Sequence, residues 1–179
     1  ALANIQSTKV ETALYDTMAE EIRNITAYDR VMIYRFDEQY NGEVIAEAKA
    51  AAVESYLGIW YPRTDIPKQA RQLFLTNRVR MLIDVEDDLS MICPPVHPIT
   101  KQALNVSNVA ARGVSPIHLE YLTNMGVSAT LNVAIVDNGQ LWGLIACHHF
   151  EKKVLSYQTR NLVKFMGQVM SGYLSMNRA

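Results

Sequence analysis

The dipeptide Asn138-Gly139 constrains the fold more than any other feature of this sequence, because it lies between two apolar runs, residues 130–136 and 140–150. Asn and Gly tolerate the positive φ that a two-residue turn requires, so the segment reads as an antiparallel hairpin. A second pair, Asn41-Gly42, separates RVMIYRFD (30–37) from EVIAEAK (43–49), two further strands joined by a somewhat longer connection. Residues 79–85 read as another short strand.

Helical periodicity brackets these strands. Val10, Leu14, Met18, Ile22 and Ile25 form one stripe near the N-terminus, opposed by Lys9, Glu20 and Arg23. Near the C-terminus, Ser156 is a candidate N-cap, and Leu162, Phe165, Val169 and Tyr173 recur on one face. Pro67 opens a helix carrying Ala70, Leu73 and Phe74, and residues 116–124 form a short helix closed by Gly126. The segment YLGIWYPRTDIP (56–67) is too rich in Pro and Gly for regular structure. Residues 86–113, broken by Pro94, Pro95 and Pro98, read as a long functional loop. Hairpins flanked by helices favour an α+β domain with an antiparallel sheet. The expectation is a single domain over residues 1–179, a length that supports one sizeable core.

A net charge of −1 gives no electrostatic reason to expect nucleic acid or an anionic membrane as partner. No apolar run is long enough for a transmembrane helix, and no signal-peptide pattern is present, so the expected location is cytoplasmic. Two cysteines, Cys93 and Cys147, are too few for a disulfide framework. There is no phosphate-binding glycine loop and no nucleophile motif. Of Cys147, His148 and His149, only the first and last share a strand face, and no second cluster completes a zinc site.

Polar groups set among aromatic ones remain. His118 and Tyr121 share a helix face. Asp65 lies at a helix mouth, Arg80 lies on a strand, and Arg112 precedes the short helix. Tyr34, Tyr56, Tyr61, Trp60 and Phe74 offer flat surfaces. An apolar pocket with a few placed polar groups suits a bulky planar ligand. Pattern alone stops there, at a sensory domain whose ligand is open.

The segments YDRVMIYRFDEQYNGEVIAEAK (28–49), YLGIWYPRTDIPKQAR (56–71), GVSPIHLEYLTNMGV (113–127) and GQLWGLIACHH (139–149) resemble the chromophore-binding GAF domain of phytochromes, bacteriophytochromes in particular. The resemblance implies a GAF fold: an antiparallel sheet of five to six strands flanked by helices, with the terminal helices on one side. It implies a red/far-red light sensor binding a linear tetrapyrrole of the biliverdin type. Arg80 and Arg112 match propionate-binding arginines, whose guanidinium forks suit carboxylates. Asp65 heads the Asp65-Ile66-Pro67 motif, and its main-chain carbonyl would accept from pyrrole nitrogens. His118 matches the histidine near the inner rings, and His148 the one bonding the D-ring carbonyl. Tyr34, Tyr61 and Tyr121 would enclose the D ring. Thr130 and Asn132 stand where hydroxyl groups usually meet a propionate, and Asn132 departs from that pattern. Phe74 replaces a common tyrosine. Met32, Val44, Tyr56, Ser115, Ile117, Met125 and Leu144 would complete the wall.

Ile117 occupies the position of the attachment cysteine in plant and cyanobacterial members. Bacteriophytochromes use a cysteine upstream of a PAS domain, so noncovalent binding, or no pigment, is expected in this chain. Light would isomerise the D-ring methine bridge and rearrange hydrogen bonds at Asp65, His118 and His148. The implied partners are PAS, PHY and histidine-kinase-type modules of a parent chain, with a homodimer through the terminal helices. Two alternatives stand beside this: a GAF domain that senses another small molecule or only dimerises, and a metal enzyme using Cys147 and His149.

Overall fold

The computed structural model describes residues 2–87, 93–110 and 114–177, with side chains from residue 9 onward. The elements run α1 (Leu2–Thr26), β1 (Arg30–Phe36), β2 (Gly42–Lys49), β3 (Trp60–Tyr61), α2 (Lys68–Thr76), β4 (Val79–Leu82), α3 (Pro116–Asn124), β5 (Ala129–Asp137), β6 (Gln140–His149) and α4 (Tyr157–Asn177). The strands form one six-stranded antiparallel sheet in the order β3-β2-β1-β6-β5-β4. This is the α+β architecture expected. Between β5 and β6, Asn138 and Gly139 both take positive φ, 49° and 76°, as a two-residue hairpin turn requires.

Period-two alternation divides the sheet into two environments. Val31 and Ile33 of β1, Leu131, Val133 and Ile135 of β5, and Ile145 and Cys147 of β6 are buried in the cluster that includes α1 and α4. Burying side chains of this size contributes about 1.5–3 kcal/mol each. The intervening residues, Met32, Tyr34, Ala134, Leu144 and Ala146, belong to a second cluster with Phe74 of α2. The terminal helices therefore cover one face and leave the other for a site.

Three local expectations shift. Trp60-Tyr61, read as irregular, adds a two-residue edge strand to β2. On α1 the buried stripe is Tyr15, Met18, Ala19 and Ile22, while Val10 and Ile25 are exposed. On α4 the core side is Val163, Gly167, Met170 and Leu174, so Leu162, Phe165 and Val169 form a second, outward apolar face. Both helices carry more apolar residues than one stripe needs, which is why periodicity picked a neighbouring line.

Candidate functional site

On the sheet face opposite the terminal helices lies a cleft of about 620 Å³, counting the solvent at its open mouth. Its floor is built from alternate residues of four strands: Met32 and Tyr34, Val44, Thr130 and Asn132, and Leu144, Ala146 and His148. Tyr61, Asp65 and Ile66 close one flank. His118, Tyr121, Leu122 and Met125 form the roof.

Local chemistry fixes the roof. Ser115 caps α3, its Oγ accepting from the His118 backbone N–H at 3.3 Å, and Pro116 occupies the first turn. At the other end Gly126, with φ 69°, lets the Val127 N–H reach back to Leu122 O at 2.9 Å. Held between these ends, the His118 and Tyr121 rings lie one turn apart, stacked at 6.2 Å and 17°. The flank is fixed by Arg71, which donates from Nη1 to Ile66 O at 2.6 Å and packs over the Tyr40 ring at 4.3 Å. Sequence reasoning passed over Arg71, although it lies within the recognised segment.

Burial, then the Arg80 charge, holds the His118 imidazole below its ordinary pKa. His148 is pushed down to about 3, by burial first and then by Arg30 and His118. Burial raises the Asp65 carboxyl, the Tyr34 phenol, and Tyr121 to about 12. Near pH 7 both imidazoles and both phenols are therefore neutral. Among the described residues, the buried Nδ1 of His148 has no hydrogen-bond partner. A buried polar atom left unpaired is costly, which makes this nitrogen a candidate ligand contact.

Of the residues proposed from sequence, Met32, Tyr34, Val44, Tyr61, Asp65, Ile66, His118, Tyr121, Met125, Thr130, Asn132, Leu144 and His148 meet at this cavity. Others lie outside its wall. Pro67 and Ser115 cap helices, and Phe74 is buried in the neighbouring cluster. Tyr56 stacks on the Arg30 guanidinium at 3.7 Å. Ile117 is 81% exposed, because it lies one residue, about a quarter turn, from His118. Arg80 stands opposite Asn132 in the β4–β5 register and acts on His118 through its charge. Arg112 lies outside the described residues. Leu122 and Ala146 were missed, yet each shares a face with a residue that was found: Leu122 is four after His118, and Ala146 is two before His148.

Cys147 and His149 lie on strand positions of the opposite parity. Cys147 is buried among the terminal-helix core, and His149 Nδ1 sits 2.8 Å from Asp29 Oδ2.

Comparison with known proteins agrees with this geometry. The GAF domain family profile matches residues 11–174. Cyanobacterial phytochrome B of Nostoc sp. is 45% identical over 175 residues, covering 98% of this chain and 23% of the relative. A bacteriophytochrome of Xanthomonas campestris pv. campestris is 47% identical over 162 residues, covering 90% of this chain and 26% of the relative. The chain thus spans about a quarter of the length of these relatives. Among solved structures, the chromophore-binding domain of an unusual bacteriophytochrome from R. palustris superposes with a TM-score of 0.88 at 34% identity, over 90% of this chain and 53% of that one. The chromophore-binding domain of Stigmatella aurantiaca phytochrome P1 gives 0.85 at 39% identity, over 91% and 54%.

Proposed function

Because the chain belongs to the GAF domain family and its near relatives are phytochromes, we propose that it is the bilin-binding, light-sensing module of a larger photoreceptor. The observation that carries this reading is the cavity: walled by aliphatic and aromatic side chains, its two imidazoles neutral near pH 7, and equipped with an unpaired buried nitrogen on His148. Those features fit a flat, largely apolar tetrapyrrole with a few hydrogen-bonding groups. When bound, a bilin would supply red-light absorption and isomerisation at a methine bridge.

The chain's own residues would hold and orient it. His148 Nδ1 is an acceptor for a ring N–H or, in the other tautomer, a donor to a ring carbonyl. The main-chain carbonyl of Asp65 and the imidazole of His118 would face the inner pyrrole nitrogens. Tyr34, Tyr61 and Tyr121 would pack around the terminal ring. Arg80 and Arg112 would pair with the propionates, and Asn132 offers an amide where a hydroxyl is usual. Biliverdin would be held without a covalent link, with Cys147 buried on the other face of the sheet and Ile117 where plant and cyanobacterial relatives carry the attachment cysteine. The role is sensory rather than catalytic, with output in modules such as PHY and kinase domains of the parent chain. The exposed line of Leu162, Phe165 and Val169 on α4 suits a homodimer through the terminal helices.

Gel filtration after mixing with excess biliverdin tests the binding step. Pigment should co-elute with the protein at equimolar ratio, and His148→Ala should weaken its retention. Elution of protein without pigment would favour a GAF domain sensing a different small molecule.

A further inference from the structure

β2 starts at Gly42, which pairs with Phe36 on β1 and with Tyr61 on β3. The Tyr34 ring lies across this glycine. A Cβ built at Gly42 would fall on Cζ, Cε1 and the hydroxyl of Tyr34, far inside contact distance. The same ring is edge-on to Phe36, with centroids 5.2 Å apart at 83°, and tilted against Tyr61 at 6.0 Å and 43°. Phe36, Gly42 and Tyr61 therefore form a slot across three neighbouring strands, with the glycine as its floor. A bulge between Ile33 and Tyr34 in the β1–β2 ladder sets Tyr34 opposite Val44, a cavity residue.

Gly42 does not take a positive φ, so what it supplies is space rather than backbone freedom. A methyl group there would take the space the ring now fills and force the ring to move. With Phe36 and Tyr61 on either side, the open direction for the displaced ring is into the cavity that Tyr34 already lines.

We propose that Gly42 is a positioning residue: its missing side chain seats the Tyr34 ring against β2 and keeps that end of the cavity open to a flat ligand. This rests on the bilin reading for the ligand's identity but not for the seat itself.

The test is a double-mutant cycle with Gly42→Ala, Tyr34→Ala and the pair, reading biliverdin affinity by absorption and Tm by circular dichroism. Gly42→Ala alone should weaken biliverdin binding by about tenfold or more. In the Tyr34→Ala background the same change should cost less than about threefold. Tm should fall by several degrees on Gly42→Ala only where the ring is present. Equal losses in both backgrounds would overturn the proposal, since a merely structural glycine would not notice removal of the ring. If the wild-type chain takes up no biliverdin, the bilin reading fails by itself. In that case, or if Tyr34→Ala takes up none, the Tm cycle alone decides the seat.

Discussion

Arg30 Nε stands 3.5 Å from Glu47 Oε2, and both side chains are almost fully withdrawn from water. The guanidinium also donates from Nη2 to Glu54 O at 2.6 Å, while the Glu47 carboxylate accepts from Ser55 Oγ at 2.7 Å and the Tyr56 N–H at 2.8 Å. One buried pair thus ties residues 54–56, the approach to the cavity flank, to β1 and β2. Removing one partner strands the other charge, which typically costs about 3–5 kcal/mol. Glu47→Ala should therefore lower unfolding free energy in urea by about that amount. Glu43→Ala, which breaks the exposed pair with Arg35 at 3.0 Å, should change it by less than about 1 kcal/mol.

The cavity histidines make stability depend on pH. His148 in the folded chain takes a proton only at about 3, against 6.5 for an ordinary histidine, and His118 is lowered as well. Between those values the unfolded chain binds more protons, so this contribution is complete above pH 6.5 and is lost as pH falls. Asp65 has the opposite sign, since its raised carboxyl favours the folded state at lower pH. The window therefore opens at 6.5, where an unfolded histidine begins to take up the proton that His148 refuses. Tm should fall through that window, and His148→Gln should flatten the slope. A Tm that rises on acidification there would contradict neutral imidazoles in the cavity.

Thiol accessibility separates the two cysteines. Cys93 is exposed, whereas Cys147 is buried beneath the terminal helices and its thiol is pushed up by burial. An aromatic disulfide reagent should label one thiol in the native protein and both after denaturation. Cys93→Ser should abolish the native labelling. Rapid native labelling of Cys147 would mean that the α1–α4 face opens readily.

Ser115 offers a local test of the roof. Its Oγ caps α3 at the His118 N–H, so Ser115→Ala should cost about 1 kcal/mol in unfolding free energy. Ser115→Asp, which keeps an acceptor at the cap, should retain most of that stability.

Legibility in the sequence followed the strength of local physics. Asn138-Gly139 announces its hairpin because few residue pairs accept two positive φ values. The short helix from Pro116 to Asn124 was readable from its proline start and from Gly126 beyond its end. Trp60-Tyr61 was not, because two residues carry no period, and they become a strand only when β2 offers an edge. The apolar lines on α1 and α4 were visible, but which line is buried depends on how each helix is rotated on the sheet. Much of the cavity wall was reached through family resemblance rather than pattern, as His148 and Asn132 illustrate: neither stands out until opposing strands place both on one face. Ile117 shows the converse, since adjacency to His118 on a helix turns it outward.

A light-responsive bilin in this cavity is tested directly by one absorption experiment. The purified chain is mixed with biliverdin, its spectrum is recorded before and after red illumination, and the sample is then denatured in acid. A red band that changes with light, with pigment released on denaturation, is the predicted result. Absence of any red band would contradict the account, and pigment that stays attached after denaturation would contradict its noncovalent binding.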